Sequence, residues 1–162
     1  MQHGARLHLI DATVAPEWVD YNGHMNDAAY AIVFSRAVDA LMDRIGLDAS
    51  ARRRSGRTLF TLQTMLHYFA ETREAAPLSI ACHLLEHDDK RLRVWLEMFS
   101  GPGGARLAAS EQLLISIDQT EAGPKTAPWR PETLAALDAL GHAQKGMAPP
   151  PQAGKGVKLK RG

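Results

Sequence analysis

The chain has 162 residues, of which 45% are hydrophobic and 23% charged, and a formal net charge of +1. This length and composition fit one globular domain of ordinary size. The near-zero charge gives no electrostatic basis for a nucleic-acid partner, and no apolar run reaches the roughly 20 residues that a membrane-spanning helix needs. We expect neither nucleic acid nor a membrane as a partner.

The cysteine content and the N-terminal sequence predict a cytoplasmic location. Cys82 is the only cysteine, so the chain cannot form an internal disulfide. A reducing compartment is the simplest environment for such a chain. Residues 1–6 lack the apolar core of a secretory signal peptide.

The N-terminal third predicts a strand followed by a long helix. Residues 5–19 have the pattern of a first strand, interrupted near Pro16. Asn26 is a suitable N-cap for a helix that spans residues 27–45 and stops at Gly46. Its apolar stripe is wide, so we expect other elements to cover more than one side of it.

The central part of the chain changes to a period of two, which is typical of strands. Before that change, residues 49–57 predict a polar, basic loop. The short links between the strands imply an antiparallel meander. The predicted strands cover residues 58–72, 77–87, 90–100 and 106–118.

The C-terminal part predicts less regular structure. Residues 124–131 are expected to form a linker. We divide the chain into a main domain of residues 1–128, a short C-terminal helix within residues 129–144 and a tail of residues 145–162. The tail is rich in Pro, Gly and Lys, and we expect it to be flexible unless contacts order it.

These elements predict an α+β fold in which one antiparallel sheet wraps around one long, apolar helix. Such a sheet leaves long edge strands, which a second copy of the chain can cover by strand pairing. We therefore expect a homodimer or a homotetramer.

The most informative local feature is an acidic residue close to the start of the long helix. Asp20 precedes a turn at Gly23, and the helix begins near Asn26 and Asp27. A carboxylate can act as a base or a nucleophile, and the unpaired amides of a helix start suit a developing negative charge. The competing interpretation is that Asp20 is a turn or cap residue, because Asp is common in turns.

The same run resembles a family signature. Residues 20–26 read DYNGHMN and, with Tyr30 after them, resemble the D-x-x-G-H-[VM]-N pattern of the hydroxybenzoyl-CoA thioesterase branch of the hotdog fold. The resemblance covers about residues 5–120 in layout. A closer similarity is to betainyl-CoA thioesterases, which work with carnitine dehydrogenase in carnitine breakdown. It is carried by residues 16–26, 67–74, 87–92 and 153–155.

The resemblance implies a role for each residue of the signature. The family's aspartate, here Asp20, attacks the thioester or activates water, and both routes stay open. The backbone N–H that polarises the thioester carbonyl lies seven positions later, which is Asp27, and the Asn26 N–H is a second candidate. His24 is either a proton donor to the leaving thiolate or a structural residue of the turn.

A betainyl group carries a quaternary ammonium, which aromatic faces bind through the ring quadrupole. Glu71 could face the same cation, although an exposed edge charge is an equally ordinary interpretation. Each aromatic residue, taken alone, could simply belong to the core. The aromatic residues available are Trp18, Tyr21, Tyr30, Tyr68, Phe69 and Trp95, of which Trp18 and Tyr68 are favoured over Trp95.

Coenzyme A also carries phosphates, which the basic segment after the long helix could attract. Arg54 and Arg57 are the candidates there, and simple solvation of a basic loop is the alternative. Because coenzyme A is part of the substrate, we expect no separate cofactor. The sequence has no His-x-His, Cys-pair or His-Glu-x-x-His spacing, so we expect no metal.

Other functions compatible with the fold stay open. One is a thioesterase for a different short-chain or aromatic acyl-CoA, and the others are a hotdog hydratase and a non-catalytic acyl-CoA-binding protein. Hydratases of this fold resemble an Asp-x-Asn-Pro-x-His pattern, with His five positions after Asp. Here His24 lies four positions after Asp20 with no Pro between them, which argues against hydration.

Overall fold

A six-stranded antiparallel sheet packs against one long helix in the computed structural model, which describes residues 5–159. Five strands are ordered β1-β3-β4-β5-β2, and β6 pairs with β5. The strands are β1 (Leu7–Thr13), β2 (Arg57–Tyr68), β3 (Pro77–His87), β4 (Arg91–Phe99), β5 (Arg106–Thr120) and β6 (Gly123–Thr126). The helices are α1 (Asp27–Arg44), α2 (Ala49–Ser55) and α3 (Pro131–Ala143).

The long helix α1 forms as predicted and lies in the core. Asn26 is its N-cap, and the helix ends at Arg44, one residue earlier than expected. Strand β4 alternates, so that every second residue joins the core that contains α1. The buried residues of α1 are Ala29, Tyr30, Val33, Phe34, Ala37, Val38, Leu41 and Met42, and those of β4 in this core are Leu92, Val94, Leu96 and Met98.

The prediction of a four-strand meander is wrong for β2. Strands β3, β4 and β5 are consecutive neighbours, but β2 pairs with β5 and not with β3. The segment between β2 and β3 is not a tight turn, because its backbone binds the residues just before α1. The Thr72 carbonyl accepts the Met25 N–H at 2.9 Å, and Arg73 forms a bridge with His24.

Two other predictions from the sequence are wrong. The predicted basic loop contains helix α2. Its N-cap is Asp48, whose side chain accepts the Ala51 N–H at 2.8 Å, and its C-cap is Gly56, with a φ of +68°. No residue of α2 is buried, so the helix has no apolar periodicity that could reveal it. The predicted linker contains β6, a four-residue strand on the end of β5.

The first strand is interrupted as expected. Strand β1 ends at Thr13, and a short 3-10 turn follows over Pro16–Trp18. At the other end of β1, pairing with β3 starts at the Leu7–Cys82 pair, so residues after Cys82 have no partner from β1 in the described part of the chain.

Gln144, at the end of α3, takes the place of the missing strand beside β3. Its Oε1 accepts the Leu84 N–H at 2.8 Å, and its Nε2 donates to the Cys82 carbonyl at 2.9 Å. The side chain is buried, so these bonds satisfy strand groups that water does not reach.

The chain after α3 crosses the face of the sheet opposite α1. From Gln144 beside β3 it reaches β5, where the Gly154 N–H donates to the Glu111 carboxylate at 2.8 Å. Pro150 is buried along this path. The three-part division of the chain and the flexibility of the tail stay predictions. Residues 1–4 of the predicted main domain and residues 160–162 of the predicted tail lie outside the described residues.

Across residues 5–159, no helix combines the length and apolarity needed to cross a membrane.

Replacing Gln144 tests this side-chain cover of β3. Gln144→Ala leaves one buried donor and one buried acceptor of β3 unpaired, which should lower the free energy of unfolding by about 1–3 kcal/mol. Urea denaturation followed by circular dichroism measures the change. The neighbouring exposed residue provides the control, and Lys145→Ala should change the free energy by less than about 0.5 kcal/mol. Equal effects of the two substitutions would contradict this role of Gln144.

Candidate active site

The signature residues form a short β-hairpin that runs directly into α1. The Asn26 N–H donates to the Trp18 carbonyl at 2.8 Å, and Val19 forms an antiparallel bridge with Met25. The second arm of the hairpin therefore ends where the helix starts, and the position of the first helical turn depends on the hairpin.

Asp20 holds the tip of this hairpin together. Its Oδ1 accepts the Asn22 N–H at 2.8 Å and the His24 N–H at 3.4 Å. Its backbone N–H donates to the His24 carbonyl at 2.9 Å, and Gly23 closes the turn with a φ of +77°. Glycine suits that left-handed conformation, which other residues seldom adopt. The carboxylate is therefore fixed in place by backbone amides.

The start of α1 presents one amide that the protein does not use. The Ala28 N–H donates to the side chains of Asn26 and Asp27, each at 2.9 Å. The Asn26 N–H already binds Trp18, so it is removed from the candidate donors to a substrate. Within the described part of the chain, the Asp27 N–H has no acceptor, and it keeps its candidate role.

A cavity of about 290 Å³ lies between the start of α1 and the end of β2. Tyr68 closes one side, because its hydroxyl donates to the Asp27 carbonyl at 3.0 Å. The rings of Tyr30 and Tyr68 meet edge to face with their centroids 5.2 Å apart. The lining consists of Met25, Asp27, Tyr30, Tyr68, Phe69, Ala70 and Glu71.

The cavity is aromatic and acidic. Burial raises the pKa of the Tyr30 hydroxyl, and Tyr68 and Glu71 raise it further. Burial likewise raises the pKa of the Tyr68 hydroxyl, with a further contribution from Asp27. Both hydroxyls therefore stay neutral at neutral pH, while the two carboxylates supply the negative charge. No lysine or arginine is present among the lining residues.

His24 lies at the edge of the cavity and contacts its acidic side. Its Nε2 is 3.3 Å from a carboxylate oxygen of Glu71, whose side chain is mostly exposed. The backbone of His24 also belongs to the hairpin. These contacts favour the structural interpretation of His24, in which the ring orients Glu71.

Other residues that were candidates from the sequence do not line the cavity. Asp20 lies at the hairpin tip, and Tyr21 beside it is 97% exposed. Trp18 is buried, and the guanidinium of Arg36 lies 5.1 Å from its ring centroid.

Arg54 and Arg57 lie at the opposite end of β2 from the cavity. Arg57 and Tyr68 are the two ends of a strand of twelve residues and lie roughly 36 Å apart, so both arginines are far from the cavity in one chain. Arg57 donates to the Pro128 carbonyl at 2.8 Å, and Arg54 donates to the Ser50 hydroxyl.

Sequence reasoning did not single out Met25 and Ala70 as lining residues, and it named Phe69 only as one of the available aromatic residues. Met25 lies inside the signature, and the other two follow the last residue of β2 directly. Their proximity depends on how β2 meets α1, which no local pattern reports. For residues 5–159, no cluster of three or more His, Cys, Asp or Glu side chains is suited to a metal ion.

The family model for the thioesterase-like superfamily matches residues 14–137, and the chain belongs to this superfamily. The chain is 42% identical to a betainyl-CoA thioesterase of Pseudomonas aeruginosa, over 94% of this chain and 95% of that protein. It is 37% identical to an L-carnitine dehydrogenase/betainyl-CoA thioesterase of Agrobacterium fabrum, over 96% of this chain but only 31% of that longer protein.

Solved structures agree with this assignment. A putative thioesterase from Pseudomonas putida KT2440 aligns with a TM-score of 0.82 and 38% identity, over 97% of this chain and 99% of that one. A Staphylococcus aureus protein in complex with CoA aligns with a TM-score of 0.85, over 96% and 97% of the two chains. At 24% identity the second likeness shows the fold alone. The predicted hotdog fold is confirmed.

Two helix caps of the same kind allow the helix start to be tested. Asn26→Ala removes the side chain that caps α1, and Asp48→Ala removes the one that caps α2. Each substitution should cost about 1 kcal/mol of stability. Only Asn26→Ala should also lower kcat for thioester hydrolysis, because it loosens the amides beside the cavity. Thermal melting and a thiol-release assay measure the two effects, and equal losses of kcat would contradict the assignment of Asp27.

Proposed function

We propose that the protein hydrolyses betainyl-CoA to glycine betaine and CoA. The observation that carries this proposal is the lining of the 290 Å³ cavity, which combines three aromatic residues with two carboxylates. The similarity to a protein named betainyl-CoA thioesterase supports the same conclusion independently.

The cavity has the chemistry that a quaternary ammonium group needs. This group has no N–H to donate, so it is bound by ring faces and by carboxylates at short range rather than by hydrogen bonds. Tyr30, Tyr68 and Phe69 supply the rings, and Asp27 and Glu71 supply the negative charge. Ligand cavities usually measure about 300–1,000 Å³, so this one suits a small acyl group.

The start of α1 supplies the donor for the thioester oxygen. When the carbonyl carbon is attacked, its oxygen gains negative charge, and the Asp27 N–H at the positive end of the helix can stabilise that charge. A single preorganised donor of this kind contributes roughly 3–4 kcal/mol to lowering the barrier. The bond from Tyr68 to the Asp27 carbonyl keeps this peptide in position.

Asp20 is the proposed base or nucleophile because it stands at the aspartate of the family signature; it lies at the hairpin tip and does not line the cavity of one chain. In the first route its carboxylate takes a proton from water, and the hydroxide attacks the thioester carbon and expels CoA thiolate. In the second route the carboxylate attacks directly and expels CoA thiolate, and water then hydrolyses the mixed anhydride. The two amides on Oδ1 support either route by fixing the carboxylate.

A second copy of the chain belongs to the proposed active form, a homodimer or homotetramer. Strand β2 is an edge strand and exposes Phe60 and Leu62, at 41% and 51%. Antiparallel pairing of two β2 strands would place the basic start of one beside the cavity end of the other. Arg54 and Arg57 could then face the CoA phosphates of the neighbouring site.

We also propose a cytoplasmic location for this activity. Cys82 is a free and buried thiol, and burial raises its pKa to about 12. Such a thiol suits a reducing compartment and needs no oxidising environment to stay stable.

A pair of isosteric substrates tests the proposed acyl group. In 3,3-dimethylbutyryl-CoA a carbon replaces the ammonium nitrogen of betainyl-CoA, so the shape stays and the charge disappears. The wild-type protein should show kcat/KM for betainyl-CoA at least about tenfold higher, because the aromatic and acidic lining acts on the charge. Glu71→Gln should reduce this ratio. A ratio near one in the wild type would remove betainyl-CoA as the favoured substrate.

Asp20→Asn separates chemistry from turn formation. Asparagine keeps the oxygen that accepts the two backbone amides, so the melting temperature should change little. Loss of the carboxylate should lower kcat at least about 100-fold. Thiol release and thermal melting are measured on the same preparation. A folded variant with unchanged turnover would show that Asp20 serves the turn alone.

A further inference from the structure

A buried carboxylate lies on the face of the sheet opposite α1. Glu97 of β4 is 1% exposed and alternates with the core residues Leu96 and Met98. Burying a carboxylate is costly unless charged or hydrogen-bonding partners surround it.

Glu97 has three donors. Arg6 Nε lies 2.7 Å from one carboxylate oxygen. Arg106 Nη1 lies 3.4 Å from the other oxygen, and the Trp95 indole N–H donates to that oxygen at 3.2 Å. Glu97 therefore pairs with two arginines that reach it from outside β4.

Arg106 connects this cluster to the acyl cavity. Its guanidinium carbon is 4.0 Å from the centroid of the Phe69 ring, and Phe69 lines the cavity. The next residue, Leu107, accepts the N–H groups of Phe69 and Ala70 at 2.8 and 3.1 Å. Two consecutive residues of β5 thus hold the wall formed by residues 69–70.

The charge of Arg106 is of the wrong sign for a cationic substrate. It touches a wall of a cavity that has acidic lining residues and no arginine or lysine among them. An unpaired guanidinium at this distance would oppose the field of Asp27 and Glu71. Pairing with Glu97, which also binds Arg6, offsets part of that positive charge and holds the side chain against Phe69.

We propose that Glu97 is a positioning residue that keeps the acyl cavity selective for a cationic acyl group by pairing with Arg106 behind Phe69. The inference rests on the proposed function, because it concerns the selectivity of the same cavity. Glu97 acts through Arg106 and does not touch the substrate.

The test compares betainyl-CoA with its uncharged isostere, 3,3-dimethylbutyryl-CoA, in steady-state kinetics. Glu97→Gln keeps the size and an oxygen for the Trp95 N–H but removes the charge. It should raise KM for betainyl-CoA about fivefold, as one unpaired charge near the cavity would, and change KM for the isostere less than about twofold. The double variant Glu97→Gln with Arg106→Gln should restore the wild-type ratio of the two KM values.

Two further variants complete the design. Arg6→Gln is the matched control, since Arg6 also pairs with Glu97 whereas Arg106 is the arginine that lies over the Phe69 ring, and it should leave the KM ratio unchanged. Arg106→Gln alone removes the positive charge behind Phe69, while Glu97 stays paired with Arg6, and it should shift the ratio the opposite way, towards tighter betainyl-CoA binding. This second shift keeps the inference testable if Glu97→Gln does not fold.

The outcomes distinguish the two proposals. Equal changes for both substrates in Glu97→Gln, or no change of the ratio in Arg106→Gln, would show that the cluster only stabilises the sheet and would overturn this inference. A wild-type protein without preference for betainyl-CoA would overturn the proposed function instead.

Discussion

The junction between the hairpin and α1 depends on one residue. Asn26 donates its N–H to Trp18, its side chain accepts the Ala28 N–H, and its carbonyl accepts the Ala29 N–H. The same residue therefore ends a hairpin and caps a helix. With these bonds in place, the Asp27 amide stays available, and the first turn of α1 has a defined direction towards the cavity.

The cavity exists because a distant strand meets this junction. Tyr68 at the end of β2 binds the carbonyl of Asp27, forty-one residues earlier in the chain. Glu71, just after β2, contacts His24 of the hairpin, and Thr72 binds Met25. The segment after β2 therefore lines the cavity and also binds the hairpin that precedes α1. This explains why it does not form a hairpin turn to β3.

The sequence predicted those features that local patterns encode. The N-cap at Asn26 and the bounds of β3 agree with the structure, because a capping side chain and strict alternation are local signals. Helix α2 has no buried side, so periodicity could not reveal it. The pairing of β2 with β5 joins strands distant in the sequence, and periodicity does not report such a pairing. Together with β6, which lies in the predicted linker, these are the points at which the sequence-based description of the fold was wrong.

In the candidate site, too, local patterns indicated some residues, while others depend on strand pairing. Tyr30 and Asp27 follow from their position at the start of α1, and the structure brings Tyr68 and Glu71 to them. The aromatic residue nearest to Asp20 in the sequence, Tyr21, is almost fully exposed, while Phe69, far from Asp20 in the sequence, lines the cavity. Sequence proximity gave a poor guide, because the walls come from the pairing of β2 with β5.

The two edge strands of the sheet, β1 and β2, differ in a way that affects aggregation. Strand β2 has twelve residues, whereas β1 has seven and a register shift between His8 and Ile10. Short, irregular edge strands are poor templates for the addition of further chains. Pairing of β2 with β2 of a second copy would be isologous, so it would cover this edge in both molecules and stop at two. Continued addition of chains would require β1 to pair with a further copy as well. Strand β1 is short and irregular, which disfavours such pairing.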